Sequence, residues 1–322
     1  MDLVKKRVAV DVPVGPERLV LVRLGERCNH ACPMCTNTKR PEVESFSTGE
    51  MLRRIGVVAA MGFKRVVLTG GEPTIHEGFF ELAEAARAAG MTWDLNTHGR
   101  SFHRVDFAER ARSAGLQRAI VSLHSHRPDV SALMSGAPRT SFEQTVAGVQ
   151  NLRDQGVSVT LNCVLSTLNV GDVEDYLAFA ATLSPGLRVK LCFPSLLSQG
   201  VDWGPVQLRL RDVREVLRAV PAWSLRYGVA VDLESVPSCV DGNPDRPDVG
   251  RLGFGETHYL DDRTGNHVVS IAWAEAESAV FAPFCVRCAA FERCSGVGRL
   301  YAERHGVDEL APFATRGGSW FV

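Results

Sequence analysis

Short apolar runs alternate with segments of helical periodicity from about residue 18 to residue 193, and this alternation constrains the fold more than any other feature. Repeated units of this kind build a parallel sheet that is covered by helices. We predict six strands, at residues 18–24, 65–69, 92–96, 118–123, 158–164 and 188–193. Six units are too few to close an eight-stranded barrel, so the sheet is expected to stay open and to bind ligands at the carboxyl ends of its strands.

Helical patterns fill the segments between the predicted strands. Ser47 with Glu50, and Ser141 with Gln144, form capping-box patterns, and each pair predicts the start of a helix. Gly156 is expected to end the second of these helices. Further helices are predicted at residues 79–89, 105–114 and 173–183.

The alternation stops after residue 193, and the loop-like, Pro- and Asp-rich sequence that follows predicts a domain boundary near residue 200. Beyond it we predict a helix at residues 213–220 and a hairpin around the turn residues 262–266. The chain is thus divided into an N-terminal extension (1–17), an α/β domain that forms a partial (β/α)6 TIM-like barrel (18–200), and a small C-terminal α+β domain (201–322).

Three cysteines lie within eight residues directly after the first predicted strand, at Cys28, Cys32 and Cys35. A single loop can wrap such a triplet around one metal centre, and three protein ligands leave one coordination position open. Zinc is the alternative metal, with His30 as a fourth ligand, but zinc sites usually draw on paired knuckles and no partner CxxC lies nearby. The spacing therefore favours a metal centre that can also bind a substrate or cofactor.

A second triplet, Cys285, Cys288 and Cys294, lies near the C-terminus. Its CxxC element is common in zinc knuckles and also in iron–sulfur sites, so the spacing alone leaves both open. Cys163 and Cys192 lie in apolar strands and are expected to be small core residues.

The first triplet resembles the CxxxCxΦC motif of the radical S-adenosylmethionine (SAM) superfamily, with Met34 at the Φ position. The resemblance extends to each following strand end: a GGEP motif at residues 70–73, an NTHG segment at residues 96–99, Ser122, and Asn162. His98 departs from the pattern, because the family usually has asparagine there. The resemblance covers residues 18–200, and it implies that SAM is bound by Met34, Gly70, Gly71, Glu72, Pro73, Thr97, Ser122 and Asn162.

The second triplet resembles the auxiliary-cluster extensions, called SPASM or twitch, that follow many radical SAM barrels. The full SPASM pattern has a further cysteine where this chain has Gly298, so the extension is expected to be truncated. Cys239 lies in a polar, proline-flanked loop where a buried thiol is not expected, and we predict it as the fourth ligand. The resemblance then implies a C-terminal iron–sulfur domain with a second [4Fe–4S] cluster on Cys239, Cys285, Cys288 and Cys294.

The resemblance implies an enzyme whose cluster gives one electron to SAM, so that a 5′-deoxyadenosyl radical abstracts a hydrogen atom from the substrate. An external donor such as flavodoxin or ferredoxin is expected to reduce the cluster. A small apolar-walled cavity is expected at the barrel mouth, and His124, His126 and Asp94 are candidates to face it. The expected substrate is a peptide or small natural product that the enzyme tailors or matures.

Two alternatives remain: a dehydrogenase or epimerase of a sugar or other metabolite, and a non-catalytic iron–sulfur or zinc redox sensor. The first 17 residues are too few for a peptide-recognition domain, so a peptide would need a separate partner or direct docking. A net charge of -1 from 36 basic and 37 acidic residues gives no field for nucleic acid or membrane binding. With no signal-peptide pattern or bilayer-length apolar run, we expect a cytoplasmic protein.

Overall fold

The structure is a computed structural model that describes residues 18–35, 45–194, 207–246, 257–271, 279–292, 294 and 296–314. The predicted N-terminal extension lies outside the described residues. The predicted boundary near residue 200 also falls outside them, within residues 195–206. That boundary therefore stays a prediction.

Nine described strands form one sheet: β1 (Leu19–Arg23), β2 (Arg65–Thr69), β3 (Thr92–Thr97), β4 (Leu116–Ser122), β5 (Ser158–Val164), β6 (Arg188–Cys192), β7 (Ala230–Glu234), β8 (Thr257–Leu260) and β9 (Val268–Ser270). Their order is β7-β6-β5-β4-β3-β2-β1-β8-β9. All neighbours are parallel except β8 and β9, which are antiparallel. The six predicted strands and the hairpin are confirmed, and the sheet remains open because its described edges, β7 and β9, do not pair with each other. A separate antiparallel pair joins β10 (Ala279–Val280) to β11 (Val297–Gly298).

The described helices are α1 (Thr48–Ala60), α2 (Phe79–Ala88), α3 (Val105–Ser113), α4 (Pro128–Ser135), α5 (Thr140–Asp154), α6 (Val173–Leu183), α7 (Leu210–Tyr227), α8 (Ser238–Asp241) and α9 (Arg299–His305). No helix in the described part of the chain is both long and apolar enough to cross a membrane.

One of the two predicted helix starts is confirmed. The Ser47 hydroxyl caps α1 by accepting a hydrogen bond from the backbone N–H of Glu50, at 3.3 Å. The predicted start at Ser141 is wrong, because α5 begins one residue earlier, after Arg139, and Ser141 is buried inside its first turn. The predicted end of α5 at Gly156 is confirmed. Gly156 follows the helix with a φ of 74°, a value that glycine adopts easily because it has no side chain.

The two faces of the sheet differ in burial. One face packs into the core, and its central residues are fully buried: Leu68, Leu95, Val121, Leu161 and Leu191. The residues that alternate with them point to the other face, because strand side chains have a period of two. That second face is less uniformly buried, and it carries the polar residues described below.

Candidate active site

The first cysteine triplet lies on the loop that follows β1, and we call residues 24–35 the cluster loop. Cys28 and Cys35 are exposed and Cys32 is half-buried. The loop is attached to the end of α4, where the Ser135 carbonyl accepts hydrogen bonds from the Ala31 N–H at 2.9 Å and the Cys32 thiol at 3.5 Å. Helix α4, which the sequence did not predict, therefore anchors the loop that bears the three cysteines.

The three thiols of the cluster loop are close enough to affect one another's ionisation. Burial, and to a smaller extent the charges of Cys35 and Cys28, raise the pKa of Cys32 to about 12. Burial is also the main cause that raises the pKa of Cys28. The thiols of Cys28 and Cys32 are therefore protonated at neutral pH when no metal is bound, and metal binding must displace their protons.

Two glycines allow the cluster loop to pass close to the end of β2. The N–H of Gly71 donates to the Gly25 carbonyl and the N–H of Glu72 donates to the Arg27 carbonyl, both at 2.9 Å. A Cβ at Gly70 would lie 2.4 Å from the Gly25 carbonyl oxygen, and one at Gly71 would lie 2.1 Å from the Arg27 oxygen. The glycines of the GGEP motif are thus required by backbone contact with the loop.

Glu72 is a fully buried carboxylate at the centre of the site. Its Oε1 accepts hydrogen bonds from the Thr74 N–H (3.1 Å), the Thr74 hydroxyl (2.6 Å) and the Thr97 hydroxyl (2.7 Å). Its Oε2 accepts one from the His98 N–H at 2.8 Å, and the His98 Nε2 lies 3.4 Å from the same oxygen, which still leaves it with acceptor capacity. Burial raises the pKa of Glu72, while these donors lower it by stabilising the charged form.

The His98 ring connects this carboxylate to the cluster loop. Its Nε2 lies 2.6 Å from the Asn29 Oδ1, and the ring stacks on His30 with centroids 4.1 Å apart and an interplanar angle of 22°. Burial lowers the pKa of both His98 and His30 to about 3, so both rings are neutral at pH 7. Sequence reasoning flagged His98 as a departure from the family pattern but did not assign it this contact.

The second face of the sheet carries a row of residues in register across β4 to β7, which we call the inner face: Ser122, Asn162, Lys190 and Asp232. Lys190 Nζ forms an ion pair with Glu234 at 2.7 Å. The β5–β7 side of this face is therefore polar and charged, and the expectation of an apolar-walled cavity at the barrel mouth stays a prediction. The alternation in β6 places Lys190 on this face, so the pattern could have indicated it.

Two isolated cysteines are buried as expected, at 2% exposure for Cys163 and 7% for Cys192. Cys192 is not a purely apolar contact, however, because its thiol donates to the Asn162 Oδ1 at 3.0 Å. The expected SAM contact Asn162 therefore has a side-chain partner on the neighbouring strand.

The three residues that were expected to face the barrel mouth lie in different surroundings. His124 is buried directly after β4, its Nδ1 accepts from the Val164 N–H at 3.2 Å, and burial lowers its pKa to about 4. His126 Nδ1 is buried without a partner among the described residues. The expectation for Asp94 is wrong, because it is the third residue of β3 and pairs with Arg65 at the start of β2, away from the strand ends.

Other predicted site residues lie around Glu72 and the loop. Met34 is buried in the core next to Cys35, and Pro73 begins a short 3-10 helix at Pro73–Ile75. The site also contains buried polar atoms without partners in the described structure, His30 Nε2 and Asn96 Oδ1. Three thiols on one loop, a buried carboxylate with spare acceptor capacity and these orphaned atoms fit a thiolate-bound cluster with a polar cofactor beside it.

The second cysteine site is built from α8 and the segments around β10 and β11. Cys239 and Cys285 are half-buried, and the charges of Cys288 and Cys294 raise the pKa of each. Burial is the main cause in both, and it raises the pKa of Cys285 to about 11. The structure thus brings Cys239 close to the C-terminal triplet, although Cys239 lies 46 positions before Cys285 in the sequence.

Backbone N–H groups surround the sulfurs of this second site. The Gly296 N–H donates to Cys294 Sγ and the Phe313 N–H donates to Cys288 Sγ, both at 3.3 Å. A backbone hydrogen bond from Ala311 lowers the pKa of Cys239. Such donors favour thiolates, which are the form that binds metal. Among the described residues, no group of three or more His, Cys, Asp or Glu side chains is arranged to hold a single metal ion.

Residues 22–180 match the sequence model of the Radical SAM superfamily. The chain is 28% identical over 163 residues to a probable GTP 3′,8-cyclase of Thermococcus kodakarensis, covering 50% of this chain and 52% of the relative. It is 30% identical over 179 residues to a PqqA peptide cyclase of Ruegeria pomeroyi, covering 54% of this chain and 47% of the relative. The matches span about half the length of these curated relatives.

The fold is similar to solved structures over nearly the whole chain. The structure of Streptococcus suis SuiB bound to S-adenosylmethionine matches with a TM-score of 0.66 at 12% identity, covering 94% of this chain and 76% of that one. The structure of native anSMEcpe with bound AdoMet matches with a TM-score of 0.62 at 14% identity, covering 92% and 93%. At these identities the likeness supports the fold, an open barrel of the same architecture.

Proposed function

Because this chain belongs to the radical SAM superfamily and is an enzyme of that type, we propose that Cys28, Cys32 and Cys35 hold a [4Fe–4S] cluster with which it reductively cleaves SAM. The observation that carries this proposal is that a single loop bears all three cysteines and is hydrogen-bonded directly to the Glu72 segment. Cluster and SAM would supply the 5′-deoxyadenosyl radical that takes a hydrogen atom from the substrate.

The residues around Glu72 would orient the amino group of SAM. Thr74 and Thr97 hold Oε1 with three hydrogen bonds, so the carboxylate cannot rotate and Oε2 is directed away from them. An ammonium group could then donate a charge-assisted hydrogen bond to Oε2. Burial would strengthen that bond, because the local dielectric is low and water is excluded.

The substrate that we propose is a peptide or a small polar natural product. The charged inner face supports a polar substrate, since Lys190 and Glu234 would offer both a donor and an acceptor to it. The relatives support a peptide: one is named a PqqA peptide cyclase, and SuiB has also been solved bound to precursor peptide SuiA. A sugar or other metabolite that is dehydrogenated or epimerised is the second candidate, and the polar inner face fits it equally.

We further propose a second [4Fe–4S] cluster on Cys239, Cys285, Cys288 and Cys294. Two observations support this cluster. The thiols affect one another's pKa, and backbone N–H groups donate hydrogen bonds to the sulfurs of Cys288 and Cys294. Four thiolates would saturate the cluster, so this site would transfer electrons and would not bind SAM. An external one-electron donor, such as flavodoxin or ferredoxin, would reduce the protein.

Iron content and label transfer test both proposals. Anaerobically reconstituted wild type should hold about eight irons per chain, and the variants lacking either triplet should hold about four. Cys239→Ala should make the second cluster labile, with Cys163→Ala as a control on a buried cysteine that belongs to neither cysteine triplet. If the variant lacking Cys28, Cys32 and Cys35 contains zinc and no iron, the second site is a zinc knuckle and not an iron–sulfur cluster.

The substrate class is decided by deuterium transfer. Deuterated precursor-type peptides should pass deuterium into 5′-deoxyadenosine if the peptide proposal is right. Transfer from deuterated sugars alone would favour the second candidate. A protein that reduces its clusters but never forms 5′-deoxyadenosine with SAM would be a redox sensor, and the catalytic proposal would be wrong.

A further inference from the structure

The backbone at His98 is fixed independently of its ring. The His98 N–H donates to Glu72 Oε2 at 2.8 Å, and the Thr145 hydroxyl donates to the His98 carbonyl at 2.9 Å. The Arg100 N–H donates to the ring Nδ1 at 3.2 Å, so the proton of the neutral ring is on Nε2. Nε2–H is therefore the donor to the Asn29 Oδ1 at 2.6 Å.

The cluster loop has backbone anchors on both sides of this contact. The Arg27 carbonyl accepts from the Glu72 N–H, and the Ala31 N–H donates to the Ser135 carbonyl, both at 2.9 Å. Between these anchors lie Cys28, Asn29 and His30. The His98 ring contacts two of these three residues, by the hydrogen bond to Asn29 and by the stack on His30.

We propose that His98 is a positioning residue that clamps the segment between Cys28 and Cys32, so that its ring determines how firmly the loop retains its cluster. This inference rests on the proposed function, because it assumes that the cluster is bound at this triplet. Asparagine, the residue usual in the family, has no ring to stack on His30, and its amide ends too close to the backbone to reach Asn29. The side chain at this position would therefore distinguish this chain's loop from that of its relatives.

Three variants separate the clamp from general stability. His98→Asn removes both ring contacts with the loop, together with the 3.4 Å approach of Nε2 to Glu72 Oε2, and leaves the backbone bonds at this residue in place. His98→Gln restores a longer amide that can donate to Asn29 without stacking. His103→Asn is the matched control, because His103 is an exposed histidine nearby whose ring bonds only locally, to the Arg100 carbonyl at 2.7 Å.

Each variant is studied in a background that lacks Cys285, Cys288 and Cys294, so that only the N-terminal cluster is observed. We measure the rate of iron loss to a chelator, the electron paramagnetic resonance spectrum of the reduced cluster, and the urea unfolding of the cluster-free protein. His98→Asn should lose iron about tenfold faster, which corresponds to ~1.4 kcal/mol, and should show a changed spectrum. His98→Gln should return the rate to within about threefold of the parent, since one hydrogen bond of ordinary strength is recovered.

The inference is wrong if His98→Asn matches the parent in iron loss and spectrum. It is also wrong if both His98 variants lose iron at one rate and unfold equally early without cluster, because His98 would then only stabilise the fold. A parent that holds no more iron than a variant lacking Cys28, Cys32 and Cys35 would instead overturn the proposed function, and the clamp with it.

Discussion

Gly71→Ala should break the contact between the cluster loop and the end of β2. An alanine Cβ there would lie 2.1 Å from the Arg27 carbonyl oxygen and 2.6 Å from the Glu26 carbonyl oxygen. Both neighbours are backbone atoms, so no side-chain rotation can relieve the overlap. The loop must move away, and the hydrogen bonds from the N–H groups of Gly71 and Glu72 must lengthen or break.

The magnitude follows from these two effects. Overpacking of this kind costs about 1–3 kcal/mol, and each lost backbone hydrogen bond costs about 1 kcal/mol. We therefore expect Gly71→Ala to lower the free energy of unfolding by roughly 2–5 kcal/mol. The conformation of the residue adds nothing, because Gly71, unlike Gly70, does not have a positive φ.

Urea unfolding of the cluster-free protein under reducing conditions measures this change. Gly56→Ala is the matched control, because Gly56 lies within α1 and a Cβ there meets nothing within 4 Å. That variant should be more stable by about 0.5–1 kcal/mol, since alanine favours the helix. The reasoning is refuted if Gly71→Ala unfolds within about 0.5 kcal/mol of wild type, a change usual for surface sites, or if Gly56→Ala is the more damaging variant.

Two further predictions concern buried groups of the site. Glu72→Gln should weaken SAM binding by about 10- to 100-fold, because one hydrogen bond to a charged group is lost. The iron content should stay at the wild-type value. Unchanged SAM affinity would show that Glu72 does not contact SAM. His124→Asn tests the pKa of about 4. Because the folded pKa lies below the ordinary value of 6.5, wild type should lose stability as the pH falls from about 6.5 to 4, by up to roughly 2–3 kcal/mol from this group. The asparagine amide can still accept the Val164 hydrogen bond, so urea unfolding at pH 7 and pH 4.5 should show a smaller loss in the variant, and equal losses would contradict the assignment.

The strands of the barrel could be predicted because burial on both faces or alternation between faces leaves a strong pattern in the sequence. β5 was predicted with its observed bounds, and β2 likewise. β7 was missed because its five residues, AVDLE, are short, partly exposed and contain two acids. It is a strand because it pairs with β6 along its whole length, and pairing partners cannot be read from local sequence.

The site shows the same division between local pattern and tertiary contact. The cysteine spacing and the GGEP segment predicted which loops lie together, and the structure places Gly71 against the cluster loop. Ser141 does not cap α5, although its local pattern suits a cap, because the helix already begins at Thr140 and Ser141 lies buried inside its first turn. The contacts of His98 with Asn29 and His30 join residues about 70 positions apart, for which no local signal exists.

The central claim is that Cys28, Cys32 and Cys35 bind a cluster that cleaves SAM, and the product 5′-deoxyadenosine tests it most directly. Reconstituted, dithionite-reduced protein is incubated with SAM under anaerobic conditions, and 5′-deoxyadenosine and methionine are quantified by liquid chromatography and mass spectrometry. We predict that wild type and the variant lacking Cys285, Cys288 and Cys294 form both products in equal amounts, while the variant lacking Cys28, Cys32 and Cys35 forms neither. Product formation by that last variant at the wild-type rate, or none by wild type with its full iron content, would contradict the claim.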